Sequence, residues 1–275
     1  LDLISKELFA LTTSGSEEYC GTVIQRAVKE LEWGQNEADM KLVYIAGNEE
    51  FTQGSVSYKT AIADALKKNI FVNTIHCGDE EIGVRDYWKD AALRGNGKFF
   101  NINADATVRA IKTPFDPQII LCNNKLNDTY ISYGSTGRER KMNQIAQDKN
   151  AGTISSANYA ERAVSKSGSA YKNTSWDLVD KMKEDQNVLS SIKKDELPQE
   201  LQNKSTEEIK SIITQKEKER TAIQKEIAEL AIKRQAYIEE QLKKEGDDSG
   251  DDLGKAITSS ILTFANLKGY TVEAE

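Results

Sequence analysis

Between residues 12 and 103, three apolar runs, KLVYIAG, NIFVNTIHC and GKFFNIN, alternate with stretches whose apolar positions recur at helical spacing. Runs of about five to seven residues separated by amphipathic helices predict parallel strands joined by crossover helices. On such sheets ligands bind where the loops converge, at the carboxyl ends of the strands. The segments 15–21, 47–54 and 77–83 all fall at that rim. Ahead of them LDLISKELFAL has helical spacing.

Past residue 107 the spacing becomes helical, so the chain divides into an α/β domain over 1–107 and a helical module over 108–275. Ile119, Ile120, Cys122, Leu126 and Tyr130 form one stripe, expected to cap the sheet domain. Residues 135–171 are polar and read as helical with weak periodicity and high mobility. Thr174 or Ser175 is placed to cap a short helix, with Asp177 and Asp180 near its positive end. Pro198 marks a turn. The clearest helix spans about 205–245: Ser205 or Thr206 begins it, Glu207 and Glu208 favour its N-terminus, and no Gly or Pro interrupts it. Ile209, Ile213, Ile223, Ile227, Leu230, Tyr237, Ile238 and Leu242 recur mostly at spacings of three, four or seven, with one gap and the adjacent pair 237/238, a coiled-coil pattern that would support self-association. The plainer reading is a long helix packed on its own neighbours. Residues 246–252 form an acidic linker without EF-hand spacing, and a terminal helix follows over 253–268.

A formal charge of −7 over 275 residues argues against nucleic acid as a partner, because phosphate neutralisation demands a basic face. No apolar run reaches the roughly 18–20 residues of a membrane span. No signal peptide opens the chain at Leu1, so export is expected only with an upstream signal peptide, and the compartment stays unassigned. The one histidine, His76, precedes Cys77 on a strand, where neighbours point to opposite faces and form no dyad. Cys20 opens a helix, a position that lowers a thiol pKa, yet no CxxC accompanies it. There is no GxGxxG or P-loop lysine, and the pairs Glu17/Glu18 and Glu80/Glu81 lack an acid–base separation. These absences predict a protein that is not an enzyme and carries no cofactor. Two readings stand for Cys20 and Cys77, which share the rim: a disulfide in an exported protein, or two small buried thiols. Cys122 is expected to be packed.

The strings SGSEEYCG, IAGNEEFTQG and NTIHCG, in that order, resemble a von Willebrand factor A domain, in particular a bacterial branch reading GGEEYCG, AGNEPFTQG and NTIFCG. LNDTYISYG and YKNTSWDLVD resemble the segment that follows the domain in the same branch. The resemblance implies a Rossmann-like three-layer sheet, of which this chain carries the later half, and a metal-ion-dependent adhesion site at the rim. That site takes a DxSxS motif, a Thr or acidic residue from a second loop and an Asp from a third, around Mg²⁺ in octahedral oxygen coordination. The chain contains no DxSxS. Glu18 stands at the second-loop position, Gly47 and Asn48 stand where the family has Asp-Gly, and Asn48 or Glu49 is the substitute ligand. The site is thus incomplete, and Mg²⁺ is expected only with an upstream DxSxS segment. Glu17 and Glu18 also suit the positive end of a helix. The implied function is non-enzymatic, adhesion-type protein binding through the rim loops, with contact by Phe51, Thr52 and Gln53. Phe51 is the anchor of that surface, unless its ring folds back onto the helix beneath. The alternative is a scaffold that oligomerises through the helix at 205–245.

Overall fold

The computed structural model describes residues 1–12, 15, 17–102, 110–245 and 252–271. Its elements run α1 (Asp2–Ala10), α2 (Cys20–Glu30), β1 (Lys41–Gly47), α3 (Tyr58–Lys67), β2 (Ile70–Cys77), α4 (Glu80–Arg85), α5 (Trp88–Arg94) and β3 (Asn96–Ile102). Then follow α6 (Asp116–Asn127), α7 (Gly137–Ile154), α8 (Ser156–Ser167), α9 (Leu178–Glu184), α10 (Thr206–Glu245) and α11 (Asp252–Leu267). Two compact units form, and each exchanges a terminal helix relative to the division at 107: α1 sits with α6–α10, and α11 with the strands. The boundary at 107 and the linker residues 246–251 lie outside the described residues.

In the α/β unit the three apolar runs form a parallel sheet in the order β1-β2-β3. Register pairs Val43 with Val72 and Ile45 with Thr74, so these side chains share one face. That face carries the apolar core with α2, α3 and α5: Ile24, Val28, Ile45, Phe51, Tyr58, Ile62, Val72 and Trp88. Phe71 lies on the opposite face and meets Phe264 of α11, ring centroids 5.1 Å apart. Helices therefore cover both faces, as a parallel sheet requires for its apolar strands. Asp79 caps α4 by accepting from the Ile82 N–H at 3.1 Å.

The helical unit has its own core. Ile119, Cys122, Leu126 and Tyr130 do not cap the sheet domain; they pack with Ala160, Ala163, Trp176 and Ile227 of their own unit. A second cluster joins Leu178, Val179, Leu197 and Leu201 to Ile209 and Ile213. The polar stretch at 135–171 forms two regular helices, α7 and α8. Asp177, not Thr174 or Ser175, caps α9, accepting from the Asp180 N–H at 3.0 Å. At α10 the Ser205 hydroxyl accepts from the Glu208 N–H while Glu208 accepts from the Ser205 N–H at 2.7 Å, a reciprocal cap. The apolar seam of α10 is turned inward, with Ile209, Ile213 and Ile227 buried and Ile232 exposed. Helix α1 is seated by Asp2, its one buried residue, which accepts from Arg162 at 2.6 Å and from the Tyr171 hydroxyl at 2.6 Å.

Candidate functional site

At the rim of the α/β unit, the segment entering α2 meets the loop leaving β1. Glu18 joins them. Its carboxylate accepts the backbone N–H groups of Asn48 at 3.1 Å and Glu49 at 3.4 Å, and its own N–H donates to the Gln53 side chain at 2.6 Å. The start of α2 also rests on this loop, since a Cβ at Gly21 would lie 2.0 Å from the Val56 carbonyl oxygen. Glu18 is thus brought together with Asn48, Glu49 and Gln53, from which it is distant in sequence. The side chain of Asn48 donates to Glu49 at 3.3 Å.

This arrangement does not fit the implied metal. The strongest third-loop ligand would need a side chain at position 47, and a Cβ there would lie 1.9 Å from the Glu18 carboxylate and 2.9 Å from Trp88. Glu18 fills that space and turns an oxygen to the loop's N–H groups. Among the described residues no three His, Cys, Asp or Glu side chains converge to hold a metal ion. Glu18, Asn48 and Glu49 therefore serve here as a loop clasp of charge-assisted hydrogen bonds.

Cys20 and Cys77 are free thiols, the first buried and the second half-buried; the disulfide considered from the sequence is not formed. Burial, and then the negative charge of Glu18, push the Cys20 thiol up to about 12, opposite to the lowering expected at a helix start. Burial and Glu18 also raise Cys77. His76 points to the core face. Its Nδ1 lies 2.8 Å from the side-chain Oδ1 of Asn101, and its ring centroid 5.8 Å from that of Trp88.

Phe51 is not a contact residue. It is fully buried, edge-on to Trp88 and Tyr58 with centroids 4.8 and 5.3 Å away. The reason is that a ring between two aromatic neighbours loses its water at no polar cost, while the loop backbone around it is held elsewhere: Phe51 N–H donates to Asp86 O and Trp88 Nε1–H to Glu49 O. Thr52 is exposed and Gln53 half-buried. The aromatics the rim does expose are Tyr19 and Tyr87, which the sequence reading missed. Tyr19 lies against Gly54 and donates its hydroxyl to Glu17 at 2.5 Å. The one signal for it was its place between two rim carboxylates and a buried cysteine. No model of a protein family matches the chain, and no curated protein or solved structure matches it.

Proposed function

We propose that this chain is a non-enzymatic protein-interaction module of the von Willebrand factor A type, contacting its partner through the rim loops rather than through a metal. What supports this is the order of the three rim loops along a parallel sheet, together with one observation that carries the reading. Glu18 fixes the second and third loops from within and leaves Tyr19, Asn48, Glu50 and Thr52 exposed. A loop already held in shape loses little entropy on binding, and an exposed Tyr offers apolar area with a polar tip. Carboxylates crowd this edge at Glu17, Glu49, Glu50, Asp79, Glu80 and Glu81, so the partner presents a basic face.

Photo-crosslinking from position 52 in native extract tests it, with position 63 on α3 as the control. A discrete adduct from 52 that vanishes on Tyr19→Ser is expected. Adducts that are the same from both positions and indifferent to Tyr19→Ser would overturn the reading. The scaffold alternative has less behind it, because the seam residues Ile209, Ile213 and Ile227 already pack inside their own unit.

A further inference from the structure

The helical unit holds a buried lysine, a buried carboxylate and a half-buried amide in mutual contact. Lys166 Nζ donates to Asn127 Oδ1 at 2.6 Å and to Asp148 at 2.8 and 3.0 Å. The Asn127 Nδ2 donates to the same carboxylate oxygen, Oδ2, at 2.8 Å. We propose that Lys166 and Asn127 condense into an intramolecular isopeptide bond tying α8 to α6, with Asp148 moving protons between the attacking and departing nitrogens.

Three observations carry it. First, Nζ is 2.6 Å from the amide oxygen, so the amide carbon is no farther than about 3.8 Å, one carbonyl bond length beyond. That separation approaches the distance from which bonded partners held in place react. Second, Asp148 bridges the two nitrogens between which protons must pass, and Arg162 Nε, donating to its other oxygen at 2.7 Å, together with Asn123 holds it there. Third, the amine and its proton acceptor are shielded from water: Lys166 and Asp148 are fully buried, while Asn127 is half-buried. Burial lowers the Lys166 amine to about 8, against the pull of Asp148, so the neutral nucleophile is within reach of ordinary pH. Asn123 also donates to Asp148, but its carbonyl oxygen has no partner and does not meet Nζ, so the choice falls on Asn127.

The chemistry balances without any co-reactant. The lysine ammonium passes a proton to Asp148, and the freed lone pair attacks the Asn127 amide carbon. The new C–N bond forms, the Cγ–Nδ2 bond breaks, and Asp148 delivers protons to the departing nitrogen. Of the three ammonium protons one stays on the new amide, and two leave with the departing nitrogen as ammonium. Lys166 and Asn127 are the joined residues, Asp148 the general acid–base.

The test is the intact mass of the full chain under denaturing conditions. The expected result is a mass about 17 Da below that of the sequence, one ammonia, with a branched proteolytic peptide joining Asn127 to Lys166. Lys166→Met and Asn127→Leu, each confirmed as folded by circular dichroism, are expected at full mass. A wild-type chain that keeps its full mass after prolonged incubation near pH 8 overturns the proposal, whatever the variants do. So does an ammonia loss that maps to another residue, or one that persists in Lys166→Met.

Discussion

The α/β unit and the helical unit solve the same packing problem with different chemistry. The core of the first is nearly all apolar, from Ile24 and Phe51 to Val72 and Trp88; among the described residues its buried polar side chains are Asn73, Thr74 and His76 on the central strand and Ser260 on α11. The core of the second is threaded with charge: Asp2, Asp116, Asp148, Lys166, Asp177, Arg220 and Arg234 are all buried. A hydrogen-bonded ladder fixes strand register in the first unit whatever fills the core. Helices have no such ladder between them, and the faces of α7 and α8 are lined by small residues such as Ala151, Ala157, Ala160 and Ala163, which pack in several ways. Ionic contacts of fixed geometry set the register instead. Arg220 shows it: the guanidinium donates to Asp177 at 2.7 Å, Asp180 at 2.8 Å and the Thr129 carbonyl at 2.9 Å, and lies 4.1 Å from the centre of the Tyr130 ring. Arg234 does the same between Asp116 and Glu161. Polar burial here substitutes for backbone pairing.

The largest effects challenge this contrast in both units. Arg220→Met strands a buried Asp177 carboxylate, which burial already raises, and is expected to lower stability by about 3–5 kcal/mol. Phe51→Ala opens a cavity beneath Trp88 and is expected to lose a similar amount, about 3–5 kcal/mol. Urea unfolding should assign the first loss to the transition that reports Trp176 and the second to the one that reports Trp88. Loss of both from one transition would dissolve the distinction between the units.

Glu18→Gln tests the clasp. It keeps the shape, weakens the charge-assisted bonds to Asn48 and Glu49, and is expected to cost about 1–2 kcal/mol. Amide exchange at 48 and 49 should quicken first; unchanged protection would mean the loop holds itself. The pH profile sharpens the contrast further. Cys20 is an acid whose folded pKa is raised, to about 12, so its contribution is intact below the unfolded value near 8.5 and fades as pH climbs toward the folded value. At about pH 9.5 wild type should have lost roughly 1 kcal/mol that Cys20→Ala does not lose, read as a gap between their melting curves. Thiol reagents at neutral pH should label Cys20 slowly. The smallest effect is Thr52→Ala, an exposed change expected to shift stability by less than about 0.5 kcal/mol. Such a neutral change makes position 52 a clean place to probe binding.

Much of the fold was legible. The apolar runs mark all three strands, and α10 is readable from its caps and unbroken length, because local spacing and propensity are properties of the chain alone. The loops that meet at the rim were legible as loops, and Glu18, Asn48 and Gln53 do converge there. The errors share a cause. A Phe in a polar loop looks exposed, and a terminal helix looks attached to its neighbour in sequence. Phe51 and α1 each went the other way. Lys166 had left a trace, falling in step with Ala157, Ala160 and Ala163 at a spacing of three, on the buried side of α8.

The chain's own pattern set the main elements, the parallel direction of the strands implied by alternation, and the chemistry available at the rim, since these follow from periodicity over a few residues. Only the tertiary structure decided which polar groups lose their water and to whom they bind. Asp2 meets Arg162 and Tyr171, Glu18 fills the space above Gly47, and Lys166 touches Asn127 through contacts between residues far apart in the chain. The physical reason is that a charge is buried only where a partner of matching geometry stands within hydrogen-bond reach, and that reach is set by packing across elements, not by spacing along one.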